Sequence, residues 1–188
     1  MSYKMKTRFL EVDNQIYWVN GKYSGIYSNM AKKMIGQVNV MLSYHSKVHL
    51  VRFDLHMYKF TPDNILITKF NRILFKWLKR KYDFKRIGFI WCREIETAKQ
   101  QHYHYALMLD GHKVRHPHEL LNKVKYIWDT QLQGFQYTPK RCYYNLARGD
   151  DLVTQRAIWR ISYLAKVKSK GSKPPQTKNY GTSRLKLN

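Results

Sequence analysis

Acidic residues are scarce in this chain. It has 12 Asp plus Glu against 35 Lys plus Arg, which gives a formal net charge of +23 over 188 residues. Such a surplus is costly in self-repulsion unless a polyanion binds it, and cations that neutralise phosphates gain affinity by releasing counterions. We therefore expect nucleic acid to be the partner. The aromatic fraction of 15% would suit stacking on unpaired bases as well as ordinary packing.

Cysteine is also scarce, with only Cys92 and Cys142 in the sequence. Neither lies at metal-ligand spacing from the other, so we expect buried free thiols and no disulfide framework. The N-terminus lacks the apolar segment of a signal peptide, and no apolar run is long enough to span a membrane. No basic amphipathic helix or lipidation signal points to a membrane surface. The sequence predicts a soluble, intracellular protein with no membrane partner.

Hydrophobic periodicity and turn signals predict alternating helices and strands, with no repeats. Thr61-Pro62-Asp63 resembles a helix start, with Thr61 as the N-cap residue, and Gly134 fits the position just after a later helix. The predicted helices cover 28–44, a segment after Thr61, a segment from 116 and 150–168; the predicted strands cover 48–57, 86–96, a segment from 102 and 141–146.

From position 48 onward these elements follow the order βαββαβ, and a further helix comes last. This order is typical of an α+β fold in which an antiparallel sheet carries two helices on one face. The last helix could then lie across the other face. We divide the chain into an N-terminal extension with a helix (1–46), a central domain (47–168) and a basic tail (169–188), which we expect to lack regular structure in isolation.

The segment His102-Tyr103-His104 carries the strongest sign of chemistry. In a strand, both histidines point to the same face and could bind one metal ion. If the chain turns just before His102, Glu96 lies opposite His102 and Glu94 lies opposite His104, so a carboxylate stands beside the imidazoles. Two histidines and one carboxylate, with positions left open, are typical of a catalytic metal site. An isolated His-x-His pair is more often an ordinary surface or core feature.

Other histidines have different expected roles. His112, His116 and His118 lie in a loop that leads into a helix, where we expect exposure to solvent. Asp54 and His56 share a face of the first central strand, and they could support the metal site if that strand neighbours the histidine strand.

Tyr163 and Lys166 form a candidate nucleophilic pair. Three positions apart on a helix, they share a face. A phenol attacks phosphorus only when its proton is removed, and a neighbouring ammonium stabilises the negative charge that develops. The alternative is ordinary packing of Tyr163 on the sheet, with Lys166 in solvent.

Three motifs together resemble the HUH endonuclease superfamily of replication initiators, and most closely the inovirus-type replication proteins of filamentous phages and cryptic prophages. The matching segments are Leu50–Leu55, His102-Tyr103-His104 and Tyr163-Leu164-Ala165-Lys166, in the order of that superfamily. Glu94 precedes His102 at a spacing that resembles the acidic third ligand of small circular-DNA initiators. The resemblance implies the HUH nuclease fold, with an added N-terminal helix and a basic C-terminal tail.

The resemblance also implies a mechanism. Mg²⁺ or Mn²⁺, bound by Glu94, His102 and His104, would polarise a phosphate of single-stranded DNA at an origin or hairpin. Tyr163 would attack to give a 5′-phosphotyrosine, with assistance from Lys166, and so initiate rolling-circle-type replication in the cytoplasm of a bacterial host. The chain has no Walker A motif, so a host helicase would be needed, and a host polymerase would extend the free 3′-hydroxyl. The residues expected to bind DNA phosphates are Arg52, Lys168, Lys170, Lys173 and Lys178.

Three alternatives remain open from the sequence. The chain could be a non-catalytic nucleic-acid-binding regulator on the same scaffold, because its composition supports binding as well as it supports catalysis. It could be a transposase or mobilisation relaxase of the same superfamily, since one motif tyrosine does not exclude a transposase. It could also be an RNA-binding module, if binding requires 2′-hydroxyl groups.

Overall fold

A computed structural model describes residues 3–95, 101–167 and 177–187. Four α-helices pack on the two faces of a largely antiparallel sheet, which confirms the predicted α+β class. The strands are β1 (Lys4–Met5), β2 (Phe9–Val12), β3 (Gln15–Trp18), β4 (Ile26–Tyr27), β5 (Lys47–His56), β6 (Gly88–Ile95), β7 (Gln101–Asp110), β8 (Phe135–Tyr137), β9 (Tyr143–Ala147) and β10 (Tyr180–Thr182). The helices are α1 (Ser28–Tyr44), α2 (Ile65–Tyr82), α3 (His118–Lys125) and α4 (Asp151–Ser162).

The main sheet places the strands in the order β10-β6-β7-β5, and the outer edge of β5 pairs with both β8 and β9. All of these pairs are antiparallel. The central strands β5 and β7 are buried almost throughout, as expected for strands covered on both faces. The buried centre of the sheet is therefore the pair of strands that carries the histidines and Asp54.

Side chains of the sheet alternate between two hydrophobic cores. One core contains Phe53, Tyr103 and Tyr105 and packs under α2 and α3. The other contains Leu50, Cys92 and Met108 and packs under α1 and α4. The predicted placement of a last helix across the second face is confirmed, and α1 joins it there.

Several predicted boundaries are wrong, each for a local reason. Thr61 is not the N-cap residue of α2, because the helix begins at Ile65, whose backbone N–H donates to Oδ1 of Asp63 at 2.9 Å. The last helix ends at Ser162 and continues as a 3₁₀ turn, Tyr163–Ala165. In the basic tail, β10 pairs with β6 within the folded chain, and the absence of regular structure in the isolated tail stays a prediction.

Gly134 does not adopt the left-handed conformation expected after a helix. The left-handed residue is Gln133, with φ 55, after a π-helical turn at Tyr126–Gln131 that extends α3. Gly134 is needed because any Cβ there would collide with the indole of Trp128.

The N-terminal segments also pack into the core. Strands β2 and β3 form a hairpin whose inner side chains, including Leu10 and Val12, join the core beneath α1 and α4. No helix within the described ranges is both long enough and apolar enough to cross a membrane.

Candidate metal centre

Glu94, His102 and His104 lie together on the face of the sheet that packs against α1 and α4. Glu94 is on β6 and the two histidines are on β7, with exposed fractions of 2%, 3% and 9%. One potential ligand atom from each side chain lies within 4.8 Å of the others. These three side chains could therefore hold a single metal ion, as the sequence predicted.

The register of the β6–β7 hairpin differs from the expected one. Glu94 lies opposite His102, and Cys92 lies opposite His104, so the predicted Glu94–His104 pairing is wrong. The shift amounts to two residues, which keeps every side chain on its predicted face. Glu96 lies outside the described residues, and the carboxylate seen at the site is that of Glu94.

The distances within the cluster suit a common ion. The two Nε2 atoms of His102 and His104 are 3.2 Å apart, and Oε2 of Glu94 is 3.8 Å and 3.5 Å from them, respectively. Two ligands bound to one ion at about 2.1 Å lie about 3.0–3.4 Å apart in tetrahedral or octahedral geometry. The donor set fits a divalent ion. The distance between the histidines lies within this range, and the two distances to Glu94, 3.5 and 3.8 Å, lie just above it.

Asp54 orients one of the imidazoles. It lies opposite His104 across the β5–β7 pair, and its Oδ1 is 2.7 Å from Nδ1 of His104. A proton held on Nδ1 by this carboxylate leaves the lone pair of Nε2 directed at the cluster. Burial alone would lower the pKa of His104, but the carboxylates of Asp54 and Glu94 outweigh burial and raise it.

Arg52 and His56 surround Asp54 on the same strand face. Nη2 of Arg52 is 3.7 Å from Oδ1 of Asp54. Burial would raise the pKa of Asp54, but the bond to His104 and the charge of Arg52 lower it. The imidazole of His56 stacks on that of His102, with ring centroids 5.1 Å apart. The structure therefore places Asp54 and His56 beside the cluster, and their support of a metal site stays a prediction.

Tyr163 and Lys166 reach the same cluster from the end of α4. Nζ of Lys166 donates to the Tyr163 hydroxyl at 2.6 Å and lies 4.0 Å from the centroid of its ring. The same Nζ is 3.6 Å from Oε2 of Glu94. A bond from Val167 N to Gly25 O fixes the chain just beyond the pair. The structure therefore brings the candidate nucleophile and the candidate ligands together, although no motif predicts the contact between Lys166 and Glu94.

The five residues expected to bind DNA do not lie together at one site in the described part of the chain. Arg52 is 6% exposed and held by Asp54, so it can reach a phosphate only at the buried site itself. Lys168, Lys170 and Lys173 lie outside the described residues. Lys178 is exposed and lines a large cleft. Contacts of all five with DNA stay predictions.

That cleft, of about 1620 Å³, lies along β10 between α1 and α2. We call it the basic cleft. Its exposed cations are Lys33, Lys69, Arg72, Lys178 and Arg184, and its described lining includes a single acid, Asp13. This distribution complements a phosphate backbone.

The structure also tests the expected exposure of three histidines and the expected burial of the two cysteines. His112, His116 and His118 are exposed, as predicted. Both cysteines are free, and Cys92 is fully buried, whereas Cys142 is only partly buried.

The fold and the cluster together define an α+β protein with a candidate site for a divalent metal ion. A family model described as the YagK/YfjJ C-terminal domain matches residues 11–183, and the chain belongs to this family. The family is found in cryptic prophage proteins. No curated protein and no solved structure matches the chain.

Proposed function

We propose that this protein is a metal-dependent, sequence-specific endonuclease that nicks and rejoins single-stranded DNA through a 5′-phosphotyrosine on Tyr163. One observation carries the proposal: contacts run without a gap from the Tyr163 hydroxyl through Lys166 to Glu94 and the two histidines. In this proposal the protein is a member of the HUH superfamily with its nuclease fold, and it initiates rolling-circle-type replication of a phage, plasmid or prophage element.

The chemistry follows from the nucleophile. The Tyr163 oxygen attacks phosphorus in line, forming a P–O bond to the phenol while the bond from phosphorus to the 3′-oxygen breaks. The phenol proton passes to water, and the departing 3′-oxygen takes up a proton. One phosphodiester bond is exchanged for another, so attack by a 3′-hydroxyl reverses the step and rejoins the strand.

The surrounding side chains would bind the metal ion, orient a ligand and stabilise negative charge. Glu94, His102 and His104 would hold Mg²⁺ or Mn²⁺, which when bound supplies Lewis-acid polarisation of the scissile phosphate. Asp54 fixes the orientation of His104. Lys166 is already within hydrogen-bond distance of the Tyr163 oxygen, so its ammonium can stabilise charge there without rearrangement.

Covalent adduct formation tests the proposal. The purified protein is mixed with Mn²⁺ and single-stranded oligonucleotides that tile both strands of the replicon encoding it, and adducts are resolved on denaturing gels. We expect one adduct, mapped by mass spectrometry to Tyr163. Tyr163→Phe should abolish it, whereas Tyr143→Phe should not. Absence of any adduct across the tiled set, or an undiminished adduct with Tyr163→Phe, overturns the proposal.

Metal binding is tested separately by calorimetric titration with Mn²⁺. His102→Gln and His104→Gln should each remove most of the binding heat, while His118→Gln, at an exposed position, should leave it unchanged. Equal binding by all three variants would exclude the cluster as the metal site.

The basic cleft favours a second candidate function, a nucleic-acid-binding regulator without chemistry. Its five cations lie along β10 and not at the cluster, so phosphate binding there needs no metal. A regulator would keep its affinity for DNA in His102→Gln and His104→Gln and would form no adduct.

A further inference from the structure

A second, smaller cleft of about 290 Å³ lies between the β2–β3 hairpin and α4. Four of its lining side chains are aromatic and exposed: Phe9 (49%), Trp18 (62%), Tyr23 (79%) and Trp159 (46%). We call it the aromatic cleft. Exposed tryptophans lose the stabilisation that burial would give them, so a cluster of this kind indicates a surface that binds something.

Folding alone does not account for these aromatic residues. The hairpin is anchored by its other face, where Leu10, Val12 and Tyr17 are buried in the core. Phe9 and Trp18 are cross-strand neighbours with ring centroids 6.2 Å apart, which contributes to the hairpin. That pairing leaves the exposure of Tyr23 and Trp159 unexplained.

Hydrogen bonds join the aromatic cleft to α4, the helix that precedes the proposed nucleophile. Gln155 on α4 accepts from the backbone N–H of Trp18 at 3.1 Å and donates to its carbonyl at 2.9 Å. The backbone N–H of Asn20, which also lines the cleft, donates to Oγ of Ser162 at 2.9 Å. Ser162 immediately precedes Tyr163, so whatever the cleft holds is positioned relative to the nucleophile.

The charge of the aromatic cleft favours a nucleic-acid strand as its occupant. Arg8 and Lys22 line it together with the aromatic rings, and no acidic side chain belongs to its described lining. Nζ of Lys22 lies 4.8 Å from the centroid of the Tyr23 ring. Flat aromatic faces interleaved with cations match the bases and phosphates of a single strand, because every base offers a face on which to stack.

We propose that the aromatic cleft stacks unpaired bases of the DNA strand beside the phosphate that Tyr163 attacks. The proposal rests on the proposed function for the identity of that strand. In this arrangement Trp18 and Trp159 are positioning residues, which hold the strand and do not touch the reacting atoms.

Binding is measured in the Tyr163→Phe variant with EDTA, so that neither nicking nor metal contributes. A labelled single-stranded oligonucleotide of mixed sequence is titrated over a series of salt concentrations. Trp18→Ala and Trp159→Ala should each weaken binding about tenfold, and the corresponding Phe variants should recover most of the loss. The dependence of affinity on salt should not change, because no phosphate contact is removed.

Two controls separate base stacking from other effects. An abasic oligonucleotide of equal length keeps the phosphates without the bases, so the Trp variants should bind it as the parent protein does. Tyr126→Ala removes another exposed aromatic ring near a lysine, 4.9 Å from Lys123 Nζ, on the opposite side of the sheet. This variant should retain the parent affinity.

The proposal is overturned if both Trp→Ala variants bind as tightly as the parent, or if they lose affinity equally for the abasic strand. It is also overturned if sedimentation shows a dimer of the parent that these variants dissociate, since the aromatic cleft would then contact a second copy. The assay follows binding alone, with the proposed nucleophile replaced and metal removed by EDTA, so these outcomes are independent of whether the protein nicks DNA.

Discussion

Asp54 and His104 lie opposite each other on β5 and β7, with Oδ1 of the carboxylate 2.7 Å from Nδ1 of the imidazole. This contact joins the centre of the sheet to the candidate metal site. Nη2 of Arg52 lies 3.7 Å from the same Oδ1 and 3.4 Å from Nδ1 of His104, so all three side chains meet at one point. The orientation of Nε2 therefore depends on a residue that is not itself a candidate ligand.

Asp54→Asn should weaken Mn²⁺ binding about 10–100-fold, as expected when a carboxylate that orients a ligating histidine loses its charge. Calorimetric titration measures the effect, and circular dichroism verifies that the fold is kept. The matched control is Asp83→Asn, because the Asp83 carboxylate is exposed and its left-handed backbone is tolerated by Asn. An Asp54→Asn variant with unchanged affinity would show that Asp54 does not orient His104.

Lys166→Met should change metal binding and catalysis in opposite directions. The ammonium lies 3.6 Å from the Glu94 oxygen that faces both histidines, so it repels a divalent ion at that oxygen. Its removal should tighten Mn²⁺ binding several-fold. The rate of adduct formation should fall about 100-fold, the usual cost of losing one preorganised donor at a developing negative charge.

A titration and a single-turnover adduct assay measure these two effects on the same preparation. Lys166→Arg is the matched control, since it keeps the charge and should recover part of the rate without tighter metal binding. Tighter Mn²⁺ binding with no loss of rate would exclude Lys166 from the proposed mechanism and leave it only an electrostatic effect on the metal site.

The stability of the fold should fall as the pH falls, in part because of His49. Burial lowers the pKa of His49, although its bond to Asn145 opposes the shift, and its Nε2 has no hydrogen-bond partner among the described residues. The folded pKa then lies below the unfolded value of about 6.5, so the unfolded chain binds more protons between the two. The contribution of neutral His49 to the free energy of unfolding is complete above about pH 6.5. It is lost as the pH falls towards the lowered pKa of the folded state.

Urea unfolding at pH 7.5 and pH 5 measures this loss. The free energy of unfolding of His49→Gln should fall less between the two values than that of the natural sequence, whereas exposed His118→Gln should behave like the natural sequence. An identical pH dependence in all three proteins would contradict the assignment to His49.

Lys69 and Arg72 of the basic cleft should contribute to the salt dependence of single-strand binding. The double substitution Lys69→Ala and Arg72→Ala should lower the slope of log affinity against log salt by about 0.7 for each phosphate contact removed. Lys79→Ala with Arg80→Ala removes the same charge from exposed positions of α2 outside the cleft. Equal losses of slope in the two double variants would indicate a general effect of net charge.

The sequence predicts that Glu94, His102 and His104 lie together, even though it predicts the wrong register for the hairpin that carries them. Strand side chains alternate with a period of two, so the two-residue error kept Glu94, His102 and His104 on one face. An error of one residue would have separated the carboxylate from the imidazoles.

The sequence does not predict the strands whose hydrophobic periodicity is weak. Strands β8 and β10 have three residues each, too few to show an alternating pattern. The β2–β3 hairpin did carry a usable signal, because Asp13 and Asn14 form its turn with φ 51 and 59, a conformation these residue types tolerate. The contact of Lys166 with Glu94 joins distant positions and depends on how α4 packs, which no local pattern specifies.

Strand β10 has a consequence for association between molecules. It is the outermost described strand beside β6, and the unpaired backbone groups of such an edge can join the edge of another copy. Lys178 and Arg184 flank β10, and Lys33, Lys69 and Arg72 rise on either side of it. Pairing of two such edges would bring these like charges together. The cations that suit phosphate therefore also oppose edge-to-edge aggregation. Neutralising them should make the protein less soluble.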